Sequence, residues 1–241
     1  MEFALQLWSL TGEIEKDYKG ALRKLAKMGY GGVEFAGYGG LDAKEMKALL
    51  DETGLVPVSS HTGYYDVEKV LPPALEYNKA IGSNYILYPR HDWKDDDDLK
   101  DFVERLNKAT EMARPYGIKV GYHNHDHEFQ KIGDTYVLDY IFENTPDDFV
   151  VQPDIHWIKY AGLDPVEYIK KWGSRVELVH LKQIGPNKER CDLSEGTIDM
   201  KEIIEVSKYA KHFIIEQEGY NKPIWESTKN NIDYMKELMK S

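Results

Sequence analysis

Residues 121–129 of the chain, GYHNHDHEF, hold three histidines and two acids in nine positions: His123, His125, His127, Asp126 and Glu128. Imidazole and carboxylate groups are ligands for divalent metals, and both groups also transfer protons in catalysis. A polar turn with no chemical role could have the same composition. The segment alone leaves a metal site, a set of acid/base groups and a plain turn as alternatives.

Three other candidate ligands lie at the ends of later apolar runs. Asp154 follows the run FVVQP, His180 lies in VELVHLK, and Glu216 lies in HFIIEQE. Side chains alternate across a strand, so His180 should share a face with Leu178, and Glu216 with Ile214. One metal could be bound from these three successive strand ends, and we expect a fourth ligand from the preceding segment, 121–129.

The elements that must position these side chains alternate regularly along the chain. Eight apolar runs rich in Val, Ile, Phe and Tyr are separated by amphipathic helical patterns, which favours parallel strands joined by helices. Eight such units in 241 residues predict a (β/α)₈ TIM barrel that forms a single domain over residues 1–241. An open doubly wound sheet is the alternative. The runs are 3–9, 31–37, 55–63, 84–90, 118–125, 149–157, 176–183 and 212–219.

The charge and composition restrict the class of partner. Lys and Arg number 31 and Asp and Glu number 42, for a net charge of -11, which argues against nucleic acid as a partner. No apolar segment reaches the roughly 20 residues that a membrane helix needs, and the first residues do not have the pattern of a signal peptide. With Cys191 as the only cysteine, we expect a cytoplasmic enzyme that acts on a small molecule.

Several motifs resemble one enzyme superfamily. The most specific are YHNHDHEF (122–129), QPDIHWIKYAG (152–162), VHLK (179–182) and IIEQE (214–218), and weaker ones are GVEFAGY (32–38) and SSHTGY (59–64). They resemble the sugar phosphate isomerase/epimerase superfamily, which has the xylose-isomerase-like TIM barrel. The resemblance covers essentially the whole chain, and the superfamily includes ketose 3-epimerases, inosose isomerases and inosose dehydratases. The endonuclease IV enzymes of DNA repair are more distant members.

The resemblance implies a single divalent cation, with Mn²⁺ favoured and Zn²⁺, Co²⁺ or Mg²⁺ as alternatives. Its ligands would be an acid from strand 5 together with Asp154, His180 and Glu216. In the ketose epimerases a Glu at the end of strand 5 is both ligand and acid/base, but this chain has His123 at that place. The nearest acid is Glu128. Both residues stay candidates, and Glu128 is preferred because a carboxylate balances the charge of the cation better.

The chemistry that the resemblance implies is proton abstraction next to the carbonyl of a keto-sugar or a related polyol-ketone. Glu216 would be one catalytic group and His123 the second, in an isomerase or epimerase. A dehydratase or lyase acting on an inosose or a 3-keto-glycoside is the alternative with the same metal site. An endonuclease IV-like enzyme and a non-catalytic sugar-binding protein are less favoured.

Side chains near the strand ends are candidate substrate contacts. Aromatic faces stack on sugars, and Lys182 should share the face of His180. Members of the superfamily are often dimers or tetramers, so the resemblance also allows a homo-oligomer. The predicted contacts are Trp8, His61, His125, Trp157 and Lys182.

Overall fold

The computed structural model describes residues 2–63 and 66–240. Eight parallel strands lie side by side in one sheet, with the strand Val150–Gln152 at one edge and the strand Leu178–Leu181 at the other. Single bridges, Val151–Val176 and Asp154–His180, join these two outer strands. The predicted TIM barrel is therefore confirmed. Tyr64, at the end of the SSHTGY motif, lies outside the described residues. The strands are β1 (Phe3–Gln6), β2 (Gly32–Phe35), β3 (Val56–His61), β4 (Tyr85–Tyr88), β5 (Lys119–His123), β6 (Val150–Gln152), β7 (Leu178–Leu181) and β8 (His212–Ile215).

Helices cover the outside of the barrel and begin and end at residues suited to those positions. The carboxylate of Asp42 accepts the backbone amide of Glu45 in a capping box at the start of α2, and Gly54 ends that helix with a φ of 74°. In the parts of the chain that the structure describes, the helices are α1 (Tyr18–Met28), α2 (Ala43–Thr53), α3 (Val67–Ile81), α4 (Asp96–Ala113), α5 (Val137–Glu143), α6 (Ile155–Tyr160), α7 (Pro165–Trp172), α8 (Met200–Val206) and α9 (Ile224–Leu238). Short 3₁₀ turns span Leu7–Leu10, Arg114–Tyr116, His127–Phe129 and Gly173–Arg175, and a small hairpin pairs Lys131–Ile132 with Thr135–Tyr136.

Helix α3 contains two prolines, Pro72 and Pro73. Proline usually breaks or kinks a helix, yet α3 runs without interruption from Val67 to Ile81. The two prolines remove the backbone donors that would pair with the carbonyl groups of Glu68 and Lys69. Both of those residues are exposed, so water can reach this first turn, and the helix tolerates the missing hydrogen bonds.

Inside the barrel, side chains change from apolar to polar along the strands. A small apolar cluster, separate from the main hydrophobic core, fills the interior of the barrel. On several strands the next inward side chain towards the carboxyl end is polar. Gln152 follows Val150, His180 follows Leu178, and Glu216 follows Ile214, each two residues later. The period of two therefore brings the polar groups together at the carboxyl ends of the strands, where TIM barrels carry their active sites. The interior cluster consists of Ala4, Val58, Tyr85, Leu87, Val150, Leu178 and Ile214.

Two local features determine how strands 5 and 6 end. A Cβ atom on Gly121 would lie 2.5 Å from the carbonyl oxygen of Val150, so only glycine lets β5 approach β6 at this level. The chain then leaves β6 and begins a helix at Ile155, although the sequence analysis assigned residues 149–157 to one strand. Among the described helices, none is long and apolar enough to cross a membrane.

Candidate metal centre and active-site cavity

Four side chains from four successive strands converge at the carboxyl end of the barrel. His123 ends β5, Asp154 follows β6, His180 lies in β7, and Glu216 follows β8. Each offers one donor atom, and the four donor atoms lie within 4.8 Å of one another. All four residues are buried. This set contains the three ligands that the resemblance implied, with His123 as the fourth.

Asp154 is held by the helix that it starts. Its Oδ1 accepts hydrogen bonds from the backbone amides of His156 at 2.9 Å and Trp157 at 3.3 Å, as the N-cap of α6. Its Oδ2 has no hydrogen-bond partner, although it lies 3.6 Å from Nζ of Lys182. Burial raises the pKa of Asp154. An unpaired oxygen on a fully buried carboxyl group is an open ligand position.

His180 lies between two carboxylates. Its Nδ1 is 2.9 Å from Oε2 of Glu216, and its Nε2 is 2.6 Å from Oε1 of Glu34. Although burial disfavours the imidazolium, these carboxylates raise the pKa of His180 to about 10. Burial also opposes ionisation of Glu216, but Lys182 and His180 hold the pKa of that carboxyl well below its usual range. The charges of this centre therefore compensate one another.

The four residues fit a divalent cation. Two imidazoles and two carboxylates suit Zn²⁺, Co²⁺ or Mn²⁺, and the two carboxylates balance the charge of such an ion. The unpaired Oδ2 of Asp154 and the mutual distances support this fit. His61, His123 and His180 form a second, overlapping group with suitable spacing, and the ring of His61 stacks on that of His180 at 5.5 Å.

Glu128 does not lie with these residues. Its Oε1 accepts a hydrogen bond from the hydroxyl group of Tyr122 at 2.7 Å, and its Oε2 accepts one from the backbone amide of His125 at 2.8 Å. The side chain closes the loop after β5 and is fully buried there. The structure places His123, and not Glu128, in the ligand group, since the two oxygens of Glu128 are bound by Tyr122 of β5 and by the loop backbone.

A cavity of about 580 Å³ opens beside the ligand group, and two of the four residues, His123 and Glu216, line it. Its size is that of a small-molecule site. Four of the five predicted substrate contacts line it: Trp8, His61, His125 and Trp157. Trp8 is 55% exposed. Burial lowers the pKa of His125 to about 3, so the ring of His125 is neutral at pH 7. The other lining residues are Ala36, Pro89, Arg90, His123, Asp126, Arg190, Glu216 and Glu218.

Lys182, the fifth predicted contact, lies beneath the cavity among acids. Its Nζ is 2.9 Å from Glu218, 3.6 Å from Asp154 and 3.7 Å from Glu216. It also lies 4.8 Å from the ring centre of Trp157. Although burial disfavours the charged amine, these carboxylates raise the pKa of Lys182 to about 12, so the group is a buried ammonium at neutral pH.

Four residues at the site had no role predicted from the sequence: Glu34, Arg90, Arg190 and Glu218. Glu34 is fully buried at the centre of the barrel and contacts His180, and the other three line the cavity. Glu34 carried a signal in the sequence, since it is a charged residue inside the apolar run GVEF. The two arginines lie in loops, where no periodic pattern marks them.

The barrel and the convergent ligand group define a TIM-barrel protein with a candidate divalent-metal centre at the carboxyl ends of its strands. The sequence profile of the xylose isomerase-like TIM barrel family matches residues 22–238, and the chain belongs to that family.

Two inosose dehydratases and a sugar phosphate isomerase/epimerase are similar to the chain. The inosose dehydratase of Clostridium botulinum is 26% identical over 196 residues, an alignment that covers 71% of this chain and 65% of that enzyme. The inosose dehydratase of Clostridium perfringens is 24% identical over 249 residues, covering 85% and 83%. The crystal structure of a sugar phosphate isomerase/epimerase from Parabacteroides distasonis is 26% identical and has a TM-score of 0.79, with 97% of each chain covered.

Proposed function

We propose that the protein is a divalent-metal-dependent dehydratase that removes water from a hydroxylated cyclic ketone of the inosose type. The observation that carries the proposal is the pairing of Glu216 with Lys182, a carboxylate and a buried ammonium 3.7 Å apart beside the candidate metal centre. Elimination of water from a ketone needs a base for the proton next to the carbonyl and an acid for the departing hydroxyl group. The similarity to inosose dehydratases supports the same reaction.

A divalent cation held by His123, Asp154, His180 and Glu216 would stabilise the negative charge that develops on the ketone oxygen. Glu216 would accept the proton from the carbon next to the carbonyl. Lys182 would give a proton to the hydroxyl group on the following carbon. The C–O bond breaks, a C=C bond forms, and water leaves. Glu216 then returns its proton to Lys182, so the reaction consumes nothing but the substrate.

His123 has a different role here from the one that the resemblance implied. It was expected to be the second catalytic group, whereas here it would be a metal ligand, and Lys182 would make the second proton transfer. His123 is 2% exposed, and its Nε2 lies 4.0 Å from Asp154. In the ketose epimerases, as the resemblance implied, a second carboxylate stands at this point of strand 5. Glu128 is the nearest such group here, and both of its oxygens are bound elsewhere.

Isomerisation or epimerisation of a keto-sugar is the second candidate, favoured by the similarity to the Parabacteroides distasonis isomerase/epimerase. It would share the first step, because Glu216 would again remove a proton next to the carbonyl. The two candidates differ in whether the hydroxyl group on the neighbouring carbon leaves.

The test is to load the protein with Zn²⁺, Mn²⁺, Co²⁺ or Mg²⁺ and incubate it with inososes and keto-sugars in deuterated water. A dehydratase yields a product lighter by one water, with ultraviolet absorption from the new conjugated double bond. The variant Glu216→Gln should lose this activity. Deuterium uptake with an isomeric product and no loss of water would replace the proposal by the second candidate, and undiminished activity of Glu216→Gln would refute the assigned base.

Other expectations stay predictions. They are the preference for manganese, the cytoplasmic location, a homo-oligomeric state and the absence of a nucleic-acid partner. DNA cleavage by the metal-loaded protein would favour an endonuclease, and failure to bind any divalent ion would favour a non-catalytic sugar-binding protein.

A further inference from the structure

We propose that Glu34 is a positioning residue that holds His180 in one tautomer, with the proton on Nε2 and the lone pair of Nδ1 directed to the metal centre. This inference rests on the metal centre of the proposed function. It concerns a residue that neither reaches the cavity nor belongs to the ligand group.

The carboxylate of Glu34 is surrounded by donors. Oε1 accepts from Nε2 of Gln6 at 2.7 Å and lies 2.6 Å from Nε2 of His180 and 3.0 Å from Nε2 of His61. Oε2 accepts from Nε2 of Gln152 at 2.6 Å and from the hydroxyl group of Ser59. The side chain is fully buried. A buried carboxylate with hydrogen-bond donors on both oxygens is stable in its ionised form.

This arrangement determines which nitrogen of His180 keeps its hydrogen atom when a metal ion displaces the other. An ionised carboxylate only accepts hydrogen bonds, so Nε2 of His180 must carry a hydrogen atom to approach Glu34 at 2.6 Å. The other nitrogen, Nδ1, is then the one that would give up its proton and offer a lone pair to the metal. Nδ1 lies 2.9 Å from Oε2 of Glu216, inside the ligand group. The nitrogen that can bind a metal is therefore the one that faces the other ligands.

The surroundings of Glu34 prevent the carboxylate from turning away. Gln152 donates to Glu34 through its amide nitrogen, and its amide oxygen lies 2.9 Å from Nε2 of His61. Gln6 binds the other oxygen, and its own Oε1 accepts the backbone amide of Trp8 at 3.0 Å. These contacts come from β1, β3 and β6, so the barrel wall fixes the carboxylate on three sides. Carboxylates that orient a metal-binding histidine in this way raise metal affinity by about 10- to 100-fold.

The first experiment compares zinc affinity in the variants Glu34→Gln and Glu177→Gln, by competition with a chromogenic chelator on metal-free protein. Glu177 is a matched control, because it is also a buried carboxylate, bound by Tyr85, Lys119 and Lys211, but outside the ligand group. We expect Glu34→Gln to bind zinc about 10- to 100-fold more weakly than the wild type, and Glu177→Gln to match the wild type. Equal affinity in Glu34→Gln and the wild type would overturn the proposal.

The second experiment does not depend on whether Glu34→Gln folds. In wild-type protein with ¹⁵N-labelled histidine, loaded with zinc, the signals of His180 are assigned from their loss in His180→Gln. We expect Nε2 to carry the proton and Nδ1 to show the shift of a metal-bound nitrogen. The reverse pattern would overturn the role of Glu34 while leaving the metal centre intact. If the wild type binds no zinc, the metal centre fails, and the role of Glu34 fails with it.

Discussion

Asp154 and His156 are joined by a hydrogen bond of 2.9 Å from the backbone amide of His156 to Oδ1 of Asp154, while Oδ2 of the same carboxylate has no hydrogen-bond partner. One side chain thus starts helix α6 with one oxygen and presents the other to the candidate metal centre. The two roles can be separated by substitution, since the cap needs only an oxygen acceptor and the metal needs a negative charge.

The variant Asp154→Asn should therefore lose metal and keep its fold. Asn is as good an N-cap as Asp, so we expect the free energy of unfolding of the metal-free protein to change by less than about 1 kcal/mol. Zinc affinity should fall at least about 100-fold, because a charged ligand is lost. Chelator competition and urea denaturation measure the two quantities. A variant that binds zinc as tightly as the wild type would remove Asp154 from the ligand group.

The choice between His123 and Glu128 can be tested with a matched pair of variants. We expect His123→Gln to weaken zinc binding at least about tenfold, because it removes an imidazole ligand. Glu128→Gln should bind zinc normally but lower the free energy of unfolding by about 1–2 kcal/mol, because charged hydrogen bonds to Tyr122 and to the amide of His125 are weakened. The opposite result for zinc would restore Glu128 as the ligand from strand 5.

Lys182→Met should separate the two proton transfers of the proposed dehydration. Methionine keeps the apolar length of the side chain but offers no proton, so loss of water should slow by about 10²- to 10⁴-fold. Uptake of deuterium next to the carbonyl should persist, since Glu216 is intact. Lys188→Met is the control, because Lys188 is also a lysine over an aromatic ring, 4.4 Å from the ring centre of Tyr160, but exposed. Unchanged dehydration in Lys182→Met would exclude it as the acid.

Gly121→Ala tests the close approach of β5 and β6. The added Cβ would lie 2.5 Å from the carbonyl oxygen of Val150, against backbone that cannot move without opening the barrel. We expect the free energy of unfolding to fall by about 2–3 kcal/mol, as for overpacked cores. Gly63→Ala, where a Cβ meets no atom within 4 Å, should be neutral or slightly stabilising. Equal stability of the two variants would contradict the close approach of β5 and β6.

His212, at the amino end of β8, should contribute to the pH dependence of stability. Burial, aided by the neighbouring Lys211, lowers the pKa of His212, and its ring packs edge-on against Tyr85 at 6.0 Å. Between the unfolded pKa of about 6.5 and the lower folded value, the unfolded chain binds more protons, so stability falls as the pH falls. Urea denaturation of His212→Gln should show a smaller loss of stability from pH 7 to pH 5 than the wild type. An identical loss would show that His212 takes no part.

The sequence by itself determined the barrel and three of the four candidate ligands. Eight apolar runs separated by helical patterns admit few folds, and the period of two along VELVHLK and HFIIEQE places His180 and Glu216 on the inward face. These are local properties of each strand. Parallel strands then bring their carboxyl ends together, so residues remote in sequence could be expected at one site.

The tertiary structure alone decided which residue from strand 5 joins them. His123 is the last residue of β5 and lies two residues after Gly121, so its side chain is on the inward face of the strand. The loop after β5 folds back, and Glu128 in that loop accepts a hydrogen bond from Tyr122. Folding also brings Oε1 of Glu34 to within 2.6 Å of Nε2 of His180, a residue 146 positions away along the chain. Such a contact depends on the closure of the barrel and on the rotamers of packed side chains, and no periodic pattern in one strand carries that information.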